Sequence, residues 1–286
     1  MTSLPSVEPA RTERRISADI ARSWLLVPAT KPELFETSAS SRADAIILDI
    51  EDAVDPSKKP AARKDVADWL RAGGQAWVRI NDATTEFWAD DLAELAGNPG
   101  LLGVMLAKTE SAEQVSDSYN RLGGRTPVIA LVESAVGIEE ANNIAKAKGA
   151  FRLAFGSGDF RRDTGMSADR EAMAYPRAKL VVASRVGGLP GPIDGPTVGT
   201  NHPILREQTA VTVLMGMTGK LCLAVDQTAI INEVISPTPS DVAWATDFMA
   251  DFEARGGVIR DGSDLPRLGR AQKIMKLAVA FGVQPV

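Results

Sequence analysis

PVIALVESAVGIEEANNIAKAKGAFRLAFGSGDF, residues 127–160, is the stretch from which the fold of this chain can be inferred. An apolar run at 127–133 is followed by an amphipathic segment at 137–148, and a second apolar run follows at 152–157. A strand, a helix and a strand in this order indicate two parallel strands joined by a crossover helix. Each apolar run ends next to a carboxylate or a glycine, which places polar groups at the ends of the strands.

The same alternation continues on both sides of this unit. Six further apolar runs lie at 23–28, 45–50, 76–80, 102–107, 188–194 and 220–225, and helical segments include 58–72, 85–96, 111–122 and 169–186. Eight strands alternating with helices predict an α/β fold, the (β/α)8 TIM barrel, which has about 250 residues. An open doubly wound sheet is the alternative, but its first turn is commonly glycine-rich, whereas PATKPE follows the first run here. The run at 188–194 is the least regular, because Gly and Pro dilute it.

The chain is predicted to be one domain, because no low-complexity linker divides it. Residues 1–20 lack the apolar segment of a secretory signal and are predicted to form a flexible N-terminal tail. Residues 21–286 are predicted to be a single barrel domain. Its last part, 256–286, is surplus to eight strand–helix units, so we expect a loop or hairpin and a helix that form a lid over the barrel or over a neighbouring subunit.

Composition excludes several classes of function. The net charge is −5, from 37 acidic and 32 basic residues, which disfavours nucleic-acid binding. No apolar run reaches the roughly 18 residues of a membrane span. Cys222 is the single cysteine, so no intrachain disulfide can form, and this suits a cytoplasmic protein. His202 is the single histidine and stands in a Gly/Pro-rich loop, so zinc sites built on several histidines are excluded.

Charged or polar residues follow the apolar runs, where barrels of this kind carry their catalytic groups. They are Asp49, Glu51, Asp52, Arg79, Asn81, Lys108, Glu133 and Asp159. Arg79 has two possible roles: it could bind a substrate carboxylate with both arms of its guanidinium, or pair with Asp49 or Glu51. Lys108 could form a Schiff base in a metal-free aldolase, or it could be a structural or anion-binding lysine.

Glu133 and Asp159 are the candidate metal ligands. They are 26 residues apart, about one strand–helix repeat, which places both carboxylates on adjacent strands at one rim. Two carboxylates, with waters and substrate oxygens completing an octahedron, are a common Mg2+ arrangement. The glycines around Ser157 allow close approach of other groups. Spacing alone also permits that the two carboxylates are salt-bridge partners.

Taken together, these motifs resemble those of the citrate lyase β-subunit-like proteins of the HpcH/HpaI aldolase superfamily, from about Arg22 to the C-terminal helix. The similar stretches are LLVPATKPE (25–33), ILDIEDAVDPSKKPAAR (47–63), VRIN (78–81), VMLAKTES (104–111), ALVESAVG (130–137) and FGSGDFRRDTG (155–165). The resemblance implies that Glu133 and Asp159 bind Mg2+. It also implies that Arg79 binds substrate and takes part in catalysis, and Asp49 and Glu51 are predicted to bind substrate together with it.

The resemblance further implies an activity. It is that of a Mg2+-dependent carbon–carbon lyase that converts a short β-hydroxyacyl-CoA, of the citryl-CoA or malyl-CoA type, to acetyl-CoA and a 2-oxo acid. The family also implies a homo-oligomer, a trimer or hexamer. Two alternatives remain: a metal-dependent aldolase that acts on a free 2-oxo or hydroxy acid without CoA, and a catalytically weak Mg2+-binding relative.

Three features bear on how this chain differs within the superfamily. Ala224-Val225 stands before Asp226-Gln227, where family members often have His-Pro, and this affects the expected thioester contacts. SDLP (263–266) resembles a lid motif, so Asp264 is the expected catalytic acidic residue, reaching a neighbouring subunit's site. No histidine precedes position 202, which disfavours the branch that uses a histidine base in an N-terminal loop.

Overall fold

A computed structural model describes residues 16–199 and 201–285 of the chain. Eight parallel strands pair in chain order, and the eighth pairs with the first, so the sheet is a closed barrel. The strands are β1 Ser23–Pro28, β2 Ala45–Asp49, β3 Ala76–Ile80, β4 Leu101–Leu106, β5 Val128–Val132, β6 Ala150–Phe155, β7 Ile193–Asp194 and β8 Gly219–Cys222. The predicted TIM barrel is confirmed.

Helices surround the barrel and extend beyond it at the C-terminus. They are α1 Phe35–Ala39, α2 Lys59–Arg71, α3 Phe87–Leu95, α4 Ala112–Arg121, α5 Ala135–Ala145, α6 Ser157–Thr164, α7 Ala174–Val186, α8 His202–Leu214, α9 Val225–Ile235, α10 Pro239–Ala254 and α11 Asp264–Phe281. Short 3-10 turns precede α1 at Pro32–Leu34 and α2 at Pro56–Lys58. No helix in the described part of the chain is long and apolar enough to cross a membrane.

The inside of the barrel is a packed apolar core. Successive strand residues point to opposite faces, so alternate side chains fill the barrel while the others pack beneath the helices. The interior includes Trp24, Trp77, Ile47 and Ile129, and the two indole rings meet edge to face with centroids 5.5 Å apart. Because the interior is filled, the charged side chains that point into the barrel lie near its two ends. A further buried charged pair, Asp194 with Lys220, lies outside the barrel interior, where Arg177 of α7 also contacts Asp194.

The predicted boundaries were wrong in the region after β6. The helix α6 was not predicted, and His202 is the first residue of α8 rather than a loop residue. The strand predicted at 188–194 is reduced to β7, because Pro190 and Pro192 have no N–H to donate to a neighbouring strand. The helix predicted from 169 begins at 174, because a proline, Pro176, is tolerated only in a helix's first turn.

The described residues at the two ends of the chain lie outside the eight strand–helix units of the barrel. Residues 1–15 of the predicted tail lie outside the described residues, whereas Ile16 is buried and residues 17–20 form a turn below the barrel. At the other end, α10 and α11 pack on each other. The predicted C-terminal helical extension is therefore confirmed, with a turn rather than a strand hairpin before α11.

Candidate active site

Arg79 and Asp49 form a pair where β2 and β3 end; Asp49 is buried, and the Arg79 side chain is 11% exposed. The two residues are register partners in the sheet, so their side chains leave the strands side by side. Arg79 Nε donates to Asp49 Oδ1 at 2.8 Å, and Nη2 donates to Oδ2 at 2.6 Å. Burial would lower the pKa of the guanidinium, but the charge of Asp49 outweighs this and raises it. Asp49 thus fixes the plane of the permanently charged Arg79 guanidinium. The remaining nitrogen, Nη1, makes no hydrogen bond to Asp49.

Glu51 lies between two cations. Its Oε1 accepts a hydrogen bond from Lys108 Nζ at 2.7 Å, and its Oε2 lies 3.4 Å from Arg79 Nη1. Burial raises the pKa of Glu51, although both cations oppose the shift. Burial would lower the pKa of Lys108, but the hydrogen bond that its ammonium donates to Glu51 reverses this and raises the pKa. A Schiff-base lysine must lose its proton, so this environment disfavours that role for Lys108.

A second set of buried polar groups lies behind Glu51. Lys59 Nζ donates to the backbone carbonyl of Glu51 at 2.7 Å and to Asn81 Oδ1 at 2.6 Å. Asn81 Nδ2 donates to Asp91 Oδ2 at 2.7 Å, and Arg63 Nε donates to Asp91 Oδ1 at 2.7 Å. This network fixes the loop that carries Glu51. Sequence reasoning assigned no role to Lys59, Arg63 or Asp91, although the first two are four residues apart and so share one helix face.

Glu133 directly follows β5, and its Oε1 accepts a hydrogen bond from the backbone N–H of Lys108 at 2.8 Å. Burial raises the pKa of Glu133 to about 8; the Lys108 N–H and Arg79 oppose the shift, and the nearby charge of Asp159 adds to it. Asp159 lies in the first turn of α6. The structure thus brings together the two carboxylates that the sequence proposed as ligands.

Gly156 makes this proximity possible. A Cβ at this position would lie 2.2 Å from Glu133 Oε2, so any other residue would displace the carboxylate. At Gly158 a Cβ would meet no atom within 4 Å. The first of the two glycines around Ser157 is therefore required by the site, and the second is not.

The residues at this rim fit a Mg2+ ion. The neighbouring ionisable groups comprise seven carboxylates and five cations, which leaves two negative charges when all are ionised: Asp49, Glu51, Asp52, Asp90, Asp91, Glu133 and Asp159 against Lys59, Arg63, Arg79, Lys108 and Arg162, the last of which pairs with Asp159 at 3.2 Å. Within residues 16–199 and 201–285, no three His, Cys, Asp or Glu side chains are placed to share a metal. Two carboxylates suit a Mg2+ that takes its remaining oxygens from water and substrate.

Asp264 lies in the C-terminal extension, where it is buried at the start of α11. Its Oδ2 accepts hydrogen bonds from Arg255 Nη1 at 2.7 Å and from the Arg260 backbone N–H at 2.8 Å. The bond from Arg255 lowers the pKa of Asp264 to about 2. These partners belong to the same extension, so the contacts of Asp264 do not join it to the rim carboxylates of its own chain.

The loop around Ala224-Val225 is held by the side chain of Gln227, two residues further along the chain. Gln227 Oε1 accepts from the Leu223 N–H at 2.9 Å, and Nε2 donates to the carbonyls of Thr197 and Gly199 at 3.2 and 3.0 Å. Val225 is exposed at the first turn of α9. His202 Nε2 lies 3.3 Å from Asp226 Oδ2 on the exposed surface, so the single histidine pairs with the motif's aspartate.

Comparisons with known proteins agree with this geometry. Residues 22–224 match the model of the HpcH/HpaI aldolase/citrate lyase family, and residues 240–282 match the HpcH/HpaI aldolase C-terminal domain. The citrate lyase subunit beta-like protein of Mycobacterium tuberculosis is 32% identical over 267 residues, covering 89% of this chain and 94% of that protein. The L-malyl-CoA/beta-methylmalyl-CoA lyase of Rhodobacter capsulatus is 29% identical over 313 residues, covering 94% and 98%.

A solved structure shows the same fold. CitE from Mycobacterium tuberculosis, in complex with magnesium, acetoacetate and coenzyme A, superposes with a TM-score of 0.77 at 29% identity, covering 91% of this chain and 99% of that one. The family resemblance read from the motifs is confirmed. This chain belongs to the HpcH/HpaI aldolase/citrate lyase family.

Proposed function

We propose that the protein is a Mg2+-dependent carbon–carbon lyase that acts on a short β-hydroxyacyl-CoA of the malyl-CoA or citryl-CoA type. The other side of the reaction is acetyl-CoA and a 2-oxo acid. The observation that carries the proposal is the rim where Glu133 and Asp159 lie together beside Arg79. The names of the relatives, a malyl-CoA lyase and a citramalyl-CoA lyase among them, support the substrate class.

Each residue of the rim has a proposed task. Glu133 and Asp159 would hold Mg2+, which when bound supplies a positive charge that polarises the oxygens of the 2-oxo acid part. Arg79 Nη1, which makes no hydrogen bond to Asp49, would donate to the substrate carboxylate, while Asp49 keeps the guanidinium plane fixed through Nε and Nη2. The Glu51 carboxylate lies beside Arg79 Nη1 and accepts a hydrogen bond from Lys108 Nζ, so it keeps both cations in position. The substrate carboxylate is thereby oriented before the carbon–carbon bond breaks.

Cleavage leaves the acetyl thioester as an enolate, whose carbon must then receive a proton. We assign this proton transfer to Asp264 of a neighbouring subunit, with residues 256–270 as the lid. Paired with Arg255, Asp264 is a carboxylate, the form that removes a proton from the acetyl methyl group in the condensation direction. In the cleavage direction it must first take up the proton that the substrate hydroxyl releases, and it then gives this proton to the enolate carbon. Val258, Ile259 and Leu265 are exposed at the tip of the extension, where a lid would contact another surface.

The lid assignment has a matched test. Asp264→Asn should reduce turnover by at least about 100-fold, because general acid–base groups contribute about that much or more. Asp261→Asn, in the same loop, should retain near wild-type turnover, since the side chain of Asp261 is exposed and bonds to Ser263. A chain truncated after residue 255 that stays soluble, oligomeric and fully active would contradict the lid.

The proposed assembly is a homo-oligomer, a trimer or hexamer, in the cytoplasm. An oligomer follows from a lid that acts on a neighbouring subunit, and the single cysteine, Cys222, is buried and suits a reducing compartment. Light scattering of the purified protein measures the subunit number. A monomer with full activity would contradict the neighbouring-subunit arrangement.

Turnover of thioesters compared with free acids tests the substrate class. L-malyl-CoA, citramalyl-CoA and citryl-CoA are supplied separately with Mg2+, and acetyl-CoA and the 2-oxo acid are measured as products. We expect at least one thioester to be cleaved, and the matching free hydroxy acid to be cleaved far more slowly. Equal rates on the free acids would favour the CoA-free aldolase, which the Ala224-Val225 departure brings into consideration. Turnover of neither class would favour a catalytically weak Mg2+-binding protein.

A further inference from the structure

Lys108 has an unusual backbone for a residue with a side chain. Its φ is 46°, and within residues 16–199 and 201–285 it is the single non-glycine residue with positive φ. A Cβ makes this left-handed conformation unfavourable. Such a conformation persists where the surrounding structure imposes it, and it is concentrated at functional sites.

The neighbours of Lys108 show what imposes the conformation. The Ala107 N–H donates to the Ile80 carbonyl at 3.3 Å, and the Thr109 N–H donates to the Leu131 carbonyl at 2.9 Å. The chain is therefore bonded to β3 on one side of Lys108 and to β5 on the other. Between these two bonds, the Lys108 N–H points to Glu133 Oε1 at 2.8 Å instead of to a carbonyl.

We propose that the backbone N–H of Lys108, aimed by its left-handed conformation, is the group that positions Glu133 for binding Mg2+. This inference rests on the proposed function, since it gives Glu133 the role of a metal ligand. The N–H holds Oε1, and Gly156 leaves space beside Oε2. A carboxylate fixed in this way loses less freedom when it binds a cation, as with other groups that orient metal ligands from behind.

The side chain of Lys108 has a separate task. Its Nζ donates to Glu51 Oε1, so the residue connects the carboxylate after β2 with the carboxylate after β5. The contribution of the backbone must therefore be measured with the ammonium group absent. Two substitutions remove the ammonium equally and differ in whether they tolerate positive φ: glycine adopts it freely, and valine, branched at Cβ, is a strong outlier there.

Calorimetric titration of Mg2+ into the substrate-free Lys108→Gly and Lys108→Val proteins tests the proposal. Both lack the ammonium, so any difference between them reports the backbone. We expect the Kd for Mg2+ to be about 10- to 100-fold higher for Lys108→Val than for Lys108→Gly, the range seen when a group that orients a metal ligand is lost. Equal affinities would overturn the inference and leave the proposed function intact. No Mg2+ binding by the wild-type protein would overturn both.

Hydrogen exchange of the wild-type protein tests the same inference without any substitution. If the Lys108 N–H is bonded to a metal ligand, Mg2+ must slow its exchange, by up to about 100-fold at a concentration 100 times the Kd when opening requires metal release. Amides at the other end of the barrel, such as that of Lys220, serve as the internal reference. An exchange rate at Lys108 that does not respond to bound Mg2+ would overturn the inference, whether or not Lys108→Val folds.

Discussion

Arg79 and Arg152 lie in the barrel near its opposite ends, the first largely buried and the second fully buried, and they are held in different ways. Arg79 is bonded at the carboxyl ends of the strands by Asp49, with Glu51 close by. Arg152 is bonded below the strands by neutral oxygens, three backbone carbonyls and one hydroxyl at 2.9 to 3.0 Å: Ala18, Ala21, Gly191 and Thr218. The Arg79 guanidinium therefore lies among negative charges, and the Arg152 guanidinium lies among the dipoles of neutral carbonyl and hydroxyl groups.

The pKa values of the two arginines express this difference. Burial lowers the pKa of Arg152 to about 9, with Asp19 opposing the shift weakly. At Arg79 the carboxylates outweigh burial, so its pKa is raised. The lower arginine closes the barrel by satisfying carbonyls between strands, and the upper one belongs to a rim with surplus negative charge. The comparison assigns stability to the lower end and chemistry to the upper end, the usual division in this fold.

Removal of a metal ligand is the strongest test of this division. Glu133→Ala or Asp159→Ala should lower turnover by at least about 1000-fold, since a bound metal contributes several kcal/mol to the transition state. The thermal midpoint should stay near the wild-type value, because rim residues contribute little to the core. Asp117→Ala is the control, because this exposed carboxylate lies on α4, away from the two proposed ligands. A Glu133→Ala protein with wild-type turnover would show that the reaction does not depend on this carboxylate.

Substitution of the lower arginine, Arg152, should have the opposite effect: stability should fall and Mg2+ binding should be retained. Arg152→Met leaves several buried carbonyls without a donor, which should lower the free energy of unfolding by about 3 kcal/mol. The affinity for Mg2+ should be unchanged. Urea unfolding and calorimetry on the same sample measure the two quantities. A large loss of Mg2+ affinity with unchanged stability would show that the two ends are not separable in this way.

A conservative change of the upper arginine should affect binding and not stability. Arg79→Lys keeps the charge but loses the planar fork, so the affinity for a 2-oxo acid should fall about 10- to 100-fold. The measurement is calorimetric titration of pyruvate or glyoxylate in saturating Mg2+. Unchanged affinity would remove Arg79 from the substrate site and leave it as the partner of Asp49.

The smallest expected effect concerns a third arginine, Arg255, which pairs with Asp264 outside the barrel. The hydrogen bond from Arg255 lowers the pKa of Asp264 from 3.8 to about 2. A lowered pKa means that the pair stabilises the extension above about pH 4, and that this contribution is lost as the pH falls toward 2. The thermal midpoints of wild-type and Asp264→Asn proteins should differ at pH 7 and converge near pH 2. A difference that is independent of pH would contradict this.

Much of the upper rim could be predicted from the sequence, because strand ends are local features. Apolar runs located the eight strands, and the rule that charged residues follow them identified Asp49, Arg79, Glu133 and Asp159. The left-handed backbone of Lys108 could not be predicted, because a lysine adopts that conformation only where the surrounding structure imposes it. Asp91 was also missed, since its partners Asn81 and Arg63 come from other elements.

The lower end was less predictable for a related reason. Arg152 lies in an apolar run, and its acceptors come from residues before β1, β7 and β8, which only the closed barrel brings together. β7 was overestimated because the prolines before it were read as strand residues. The sequence thus indicates which residues end strands, but not which loops meet beneath them.

The most direct test of the central claim is residual activity after EDTA treatment, followed by addition of Mg2+ or Mn2+. The account predicts that EDTA abolishes turnover and that either cation restores it, with no restoration in the Glu133→Ala or Asp159→Ala protein. Borohydride should trap no substrate on Lys108, because its ammonium is bonded to Glu51 and stays protonated. Full activity in EDTA, together with borohydride trapping of substrate on Lys108, would contradict the account in favour of a Schiff-base aldolase.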